Sequence, residues 1–254
     1  MTGVWLALQF FTAVPIHKEY PLGRKEVTAM YAALPFVGAA IGIVMYVVFV
    51  LMQDVLGMGP LLTAVFIVLV GIILTGGLHV DGWADTGDAF FSYRDRVKRL
   101  EILEDPRLGA FGTMALVLLL VVKIALFHEV LSRGSAHLVL FIALPLLARG
   151  GMNVYFTTMR LAKDKGIAHF FKEKMAVKWV VSSSLVSSTV VLLIVGFILE
   201  SMIVPAVLTA VLLIVIYVYR KWSLNHFGGV TGDLCGAFIE GMEALLWLTV
   251  LYCI

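Results

Sequence analysis

Three carboxylates, Asp81, Asp85 and Asp88, recur at i, i+4 and i+7 within GGLHVDGWADTGDAFFSYRDRVKRLEILEDPRLGAFG, residues 76–112. On a helix turning about 100° per residue they share an arc of roughly 60°. Like charges on one face repel, so the face is either solvated or relieved by a cation. Oxygen ligands with no cysteine nearby suit magnesium or manganese better than zinc. In a chain this apolar, a metal site is preferred to a solvated acidic face. Asp81, Asp85 and Asp88 are therefore expected to hold Mg2+ and to take part in the chemistry.

Other residues bear on such a site. His79 points away from the three Asp on an ideal helix and is expected to hydrogen-bond near the site without being a ligand. Arg107, in the turn DPRLGAFG beside Asp105, is the best single candidate for a phosphate contact. Near the C-terminal end, HFGGVTGDLCGAF sets Asp233 among Gly228, Gly229, Gly232 and Gly236. Such a turn before a helix offers backbone N–H groups to an anion, while Asp233 could complete the metal site. No Ser-His-Asp set, nucleotide-fold glycine pattern or zinc-ligand spacing is present. What remains is metal-assisted transfer at an electrophilic phosphorus.

The elements that must position these groups are membrane helices. Of the 254 residues, 61% are hydrophobic and 14% charged, and the mean hydropathy is +1.00. These are not the values of a soluble domain. Runs of spanning length occur at about 30–52, 60–78, 110–131, 136–157, 177–199, 202–219 and 236–254. The expected fold is all-α: a single polytopic domain, residues 1–254, of about seven transmembrane helices. Residues 4–16 are too short to cross and end at Pro15, so they are expected in the interface or re-entrant. From Asp95 to Glu104, the stripe Val97, Leu100 and Leu103 beside Arg94, Lys98 and Arg99 predicts an amphipathic helix flat on the membrane. Its basic residues would meet anionic lipid or substrate phosphate. Cys235 and Cys253 do not suggest a disulfide framework, and no basic region precedes the first apolar residues as it would in a cleavable signal.

Basic residues support this count, since Lys and Arg gather on the cytoplasmic side of short loops. Residues 17–27 carry three, 81–109 five, 160–178 six, and 220–235 carry Arg220 and Lys221. The alternate connections, 53–59, 132–135 and 200–202, carry only Arg133. The acidic segment is thus expected on the cytoplasmic face. Two basic residues fall inside spans. Arg149, beside Gly150 and Gly151, needs a carboxylate or phosphate partner; Lys123 either snorkels or pairs within the bundle.

TGGLHVDGWADTGDAF (75–90), the run from Arg94 to Gly112, LARGG (147–151) and FGGVTGDLCGAFIE (227–240) together resemble the cobalamin synthase family, adenosylcobinamide-GDP ribazoletransferase. FFTAVPI and LAKDKGIAHFF resemble it too, so the likeness runs along essentially the whole chain. It implies a magnesium-dependent enzyme in the bacterial or archaeal inner membrane. That enzyme joins adenosylcobinamide-GDP to α-ribazole or its 5′-phosphate and releases GMP. It implies no nucleic-acid partner, places the protein among membrane lipids, and leaves a homo-oligomer open. The matching positions are Gly77, His79, Asp81, Asp85, Thr86, Asp88, Glu101, Asp105, Arg107, Gly109, Arg149, Gly229, Gly232 and Asp233. Asp81, Asp85, Asp88 and Asp233 are the implied catalytic group, and Glu101, Asp105, Arg107, Arg149, His79, Gly229 and Gly232 the substrate contacts. Glu104 stands where Lys is expected in relatives.

Two other classes fit the composition. A lipid phosphotransferase using a cytidine-diphosphate alcohol also mounts several Asp on membrane helices, but its pattern follows Asp-Gly with Ala-Arg and wider-spaced Asp, and here Ala84 precedes Asp85. A cation-coupled transporter places its carboxylates near the midplane of inverted repeats. This chain gathers them at one surface and shows no such repeat.

Overall fold

The computed structural model describes residues 2–253 and is helical throughout, with eleven α-helices. They are α1 (Thr2–Phe11), α2 (Arg24–Phe49), α3 (Pro60–Leu74), α4 (Leu78–Phe91), α5 (Arg96–Ile102), α6 (Ala110–Ser132), α7 (Leu138–Thr158), α8 (Ile167–Lys174), α9 (Val177–Ile198), α10 (Ile203–His226) and α11 (Gly232–Cys253). A π-helical turn, Val50–Val55, extends α2. Six helices are long and apolar enough to cross a membrane, seven if α3 and α4, which meet at a 93° bend, are counted as one broken span.

The break falls at Gly76 and Gly77, where the expected span at 60–78 ends, and its cause is local. Gly76 and Gly77 adopt φ of +61° and +77°, where a side chain would be strained. The Gly76 amide donates to Ile73 O and the Gly77 amide to Ile72 O, both at 3.0 Å, so α3 ends in a Schellman turn and α4 starts at once in a new direction. Alone, α3 spans about 22 Å at 1.5 Å per residue, short of a hydrocarbon core of about 30 Å.

The bundle is built around α7, which packs against α2, α9, α10 and α11. Lipid tails give helices no hydrophobic reason to associate, so close packing of small residues does the work. Gly38 and Gly42 of α2 lie against the carbonyls of Pro145 and Phe141 with no room for a Cβ, Gly150 faces Ser188 of α9, and Gly151 faces Phe238 of α11.

The N-terminal helix α1, too short to cross as expected, buries Leu6 and Ala7 and packs Gly3 on Ala29 of α2. Two other elements depart from expectation. In the 160–178 loop, α8 buries Phe171; its eight residues were too few to register against the surrounding charge. α10 runs on to His226, past the expected end at 219. The cause is Arg220 and Lys221: charge marks where lipid ends, not where a helix does.

Candidate active site

The three Asp ride on α4, which is held between two neighbours by glycines. A Cβ on Gly82 would lie 2.6 Å from Asp233 O of α11, and one on Gly236 of α11 3.1 Å from His79 O. On the opposite side a Cβ on Gly112 of α6 would come within 2.9 Å of Ala84 O, and one on Gly87 within 2.5 Å of Ala115 Cβ. The Trp83 indole N–H donates to Ala115 O at 2.9 Å, fixing the rotation of α4. Rotation and contact distance together decide where the carboxylates point.

Asp81 and Asp85 line a cleft of about 390 Å³ together with Gly77, Asp105, Pro106 and Leu108. A second cavity, about 400 Å³, lies beside it and is lined by His79, Asp81, Gly232 and Asp233 among mostly apolar side chains. Asp81 belongs to both. Asp85 is partly buried and stands among the like charges of Asp81, Asp233 and Asp88. None of the four is ion-paired among the described residues. Nor do three His, Cys, Asp or Glu side chains among those residues converge closely enough to hold a metal unaided.

Asp88, expected with Asp81 and Asp85 as a ligand, also has a partner on α6. Its Oδ1 accepts the Gly112 N–H at 3.0 Å. Gly112 is the third residue of α6, whose own N-cap, Gly109, has no side chain to offer. Asp88 therefore caps α6 from another helix, and its carboxylate lies so close over Gly109 that only glycine fits there.

The cleft's outer wall is the turn after α5. Arg107 grips Asp105 with Nε–Oδ1 2.9 Å and Nη2–Oδ2 2.8 Å, and its own amide donates to Oδ1 at 3.1 Å. The guanidinium hydrogen bonds are the main cause that pulls the Asp105 carboxyl down to about 2. With its side chain 85% exposed, Arg107 still presents donors outward. Glu101 pairs with Lys98 at 2.7 Å on the exposed side of α5, outside both cavities.

The helix α5 itself corrects the expectation of a lipid-facing stripe. Asp95 caps it by accepting from Lys98 N at 3.0 Å. Arg96 Nε donates to Phe227 O at 3.0 Å, Arg99 Nη1 meets His226 Nδ1 at 2.9 Å, and Val97 is 69% exposed. Arg96 and Arg99 thus dock α5 onto the turn before α11, which an amphipathic pattern does not distinguish from membrane docking.

That turn is also more closed than a free anion loop. Gly228 O accepts from Arg160 Nε at 2.7 Å, while Val230 N donates to Arg160 O at 2.9 Å and Ala162 N to Val230 O at 3.1 Å. Gly229 is buried under this pairing, where a Cβ would lie 2.5 Å from Arg160 O. The structure gives it a packing role in place of the expected substrate contact. Gly232, by contrast, is exposed and lines the second cavity.

The other expected substrate contact, Arg149, is 2% exposed and lies behind the cavities. Its Nη1 donates to Glu243 and its Nη2 stands 3.5 Å from His79 Nδ1. Lys123 Nζ meets Glu240 Oε2 at 2.6 Å and Glu243 Oε2 at 3.2 Å. Two cations and two carboxylates thus balance inside the bundle, and Lys123 pairs without snorkelling. Reading the sequence for clustered Asp missed Glu240 and Glu243. Two acidic residues three apart inside the last span, equal in number to the basic residues inside other spans, were the available signal.

Comparison with known proteins follows the same lines. Residues 3–251 match the family model described as cobalamin-5-phosphate synthase. Curated relatives named adenosylcobinamide-GDP ribazoletransferase include one from Geobacillus kaustophilus (strain HTA426), 35% identical over 96% of this chain and 93% of its own length. Another from Geobacillus thermodenitrificans (strain NG80-2) is 36% identical over 96% and 93%. One from Clostridioides difficile (strain 630) is 31% identical over 97% and 95%. No solved structure matches.

Proposed function

The chain belongs to the cobalamin-5-phosphate synthase family, and from that premise we propose that it joins adenosylcobinamide-GDP to α-ribazole or its 5′-phosphate with release of GMP. The observation that carries the reading is the position of Asp81, shared by two neighbouring cavities and surrounded by carboxylates that form no ion pair among the described residues. A transfer between two substrates needs two sites meeting at one point, and a pyrophosphate donor brings negative charge that these carboxylates would repel without a cation.

The donor set fits Mg2+. It is all oxygen, and an incomplete protein shell suits an ion that keeps waters and takes substrate phosphates as ligands. Asp81 and Asp85 would hold it, with Asp88 fixing α4 against α6. When bound, the ion neutralises charge on the pyrophosphate and stabilises the departing GMP.

The chain's own groups do the rest. Arg107, clasped by Asp105 at the cleft rim, holds donor phosphate oxygens through its outward N–H groups. Asp233, in the lining of the second cavity, accepts the proton of the attacking ribazole hydroxyl. That oxygen bonds to the cobinamide-linked phosphorus as the bond to GMP breaks, and GMP leaves with the electron pair. The basic loops share the site's end of the bundle, which supports a cytoplasmic active site in the inner membrane.

The test is GMP release by the purified protein with both substrates while magnesium is varied. Wild type should show saturable magnesium dependence and Asp81→Asn a large loss of rate. Turnover indifferent to chelation would refute the metal reading, and no GMP release under any condition would refute the transfer.

A further inference from the structure

The second cavity differs in chemistry from the acidic cleft. Tyr31 and Phe156 stack at 5.4 Å with an interplanar angle of 11°, and Phe171 meets Tyr31 edge-on at 5.9 Å. These three rings belong to α2, α7 and α8 and form an aromatic wall of the cavity, a stacked pair with a third ring edge-on. His79 also lines the cavity, and its buried Nε2 has no partner among the described residues. Arg149 Nη2, a donor, faces His79 Nδ1, so Nδ1 accepts and Nε2 carries the hydrogen. A buried N–H without an acceptor costs stability unless something else supplies one. Lys165 also lines the cavity and is exposed, while its neighbour Lys163 is committed to Leu100 O and Glu104, both at 2.9 Å.

We propose that this cavity is the acceptor subsite: it takes the benzimidazole nucleoside, with the base against the Tyr31–Phe156–Phe171 wall, His79 Nε2–H donating to it, and Lys165 meeting a 5′-phosphate. The inference rests on the ribazoletransferase reading and adds to it which substrate lies where. A space of about 400 Å³ is within the range of small-molecule sites and far too small for a corrinoid. Aromatic walls give a planar base large contact area with defined geometry. The nucleoside's hydroxyls then lie toward Asp81 and Asp233, the residues nearest the acidic cleft, so the donor's phosphorus approaches from the other side of Asp81.

The test measures equilibrium binding of α-ribazole and of its 5′-phosphate to the full chain in detergent, without the second substrate. Ala168→Trp, which projects a large ring from α8 into the cavity, should lose more than tenfold in affinity for both acceptors and keep its affinity for adenosylcobinamide-GDP. Lys165→Ala, an exposed change that spares folding, should bind α-ribazole as wild type does and its 5′-phosphate about tenfold more weakly, the loss expected for one charge-assisted contact. Acceptor binding unchanged in both variants, or a loss falling on the GDP-activated corrinoid, overturns the assignment. A wild-type protein that shows this variant-sensitive acceptor binding yet releases no GMP supports the subsite and refutes the transfer reaction instead.

Discussion

Gly82 of α4 lies against the backbone of Asp233 in α11, so closely that a Cβ would stand 2.6 Å from the Asp233 carbonyl oxygen. Two segments 151 residues apart (233 − 82) thereby place their carboxylates around one junction. Gly82→Ala must push the helices apart, at about 1–3 kcal/mol for overpacking. Displacing a catalytic group by about 1 Å costs up to ~100-fold in rate. The variant should lose at least tenfold in kcat with a modest fall in thermal midpoint in detergent. Wild-type kcat would show that the close approach does not position Asp233.

Asp88 should separate from its two neighbours. Asp81→Asn and Asp85→Asn should lower GMP release strongly and raise the magnesium concentration needed for half-maximal rate. Asp88→Asn keeps an acceptor oxygen for the Gly112 N–H and should retain stability. Asp88→Ala removes the cap of α6 and should cost about 1 kcal/mol. Initial rates against magnesium, beside thermal melts, decide between the roles. An Asp88→Asn variant with a magnesium curve shifted as far as Asp81→Asn would return Asp88 to the ligand set.

The cluster of Lys123, Arg149, Glu240 and Glu243 is balanced, so charge should matter more than identity. Arg149→Met or Glu243→Met leaves one net buried charge and should destabilise by about 3–5 kcal/mol. The double variant Arg149→Met/Glu243→Met restores neutrality with apolar side chains of similar reach and should recover much of that loss. The check is the thermal midpoint in detergent across the three variants. Strictly additive losses would show that the pair is not coupled.

The Asp105–Arg107 clasp makes a pH prediction. The folded-state carboxyl, at about 2, sits below its ordinary 3.8. The clasp's stabilising effect is therefore complete above about 3.8 and disappears as pH falls through about 2, leaving it closed across the physiological range. A carboxyl-carbon titration should place Asp105 near 2 in the wild type and back toward the ordinary value in Arg107→Gln. That variant should also raise KM for the GDP-activated corrinoid. An unmoved Asp105 titration would mean the clasp is absent in solution.

Orientation is testable without activity. Reporters fused after residues 56 and 254 should report outside and those at 95 and 168 the cytoplasm, following the one-sided basic loops. An external signal at 95 would overturn the topology.

What the sequence determined by itself was whatever depends on local pattern. Apolar run length set the spans, because a bilayer demands about 20 residues of internally bonded helix. The placement of Lys and Arg set the expected sidedness. The i, i+4, i+7 spacing put Asp81, Asp85 and Asp88 on one helical face, and α4 is indeed continuous across them. Gly76 and Gly77 stand at the end of the expected second span, where the chain bends by 93°, an angle that run length does not encode.

Tertiary structure decided the partners. Asp88 reads like Asp81 along the chain, yet it faces the start of α6 and becomes a cap. Arg149 needed an anion at membrane depth, and only the register of α7 against α11 made that anion Glu243. Gly229 and Gly232 read alike in one turn, but one is buried under residues 160–162 and the other lines a cavity. The aromatic wall joins Tyr31, Phe156 and Phe171 from three helices, with no spacing to betray it. The physical reason is common to all four: helix periodicity fixes which side chains share a face, whereas the neighbour that face meets depends on contacts between distant segments.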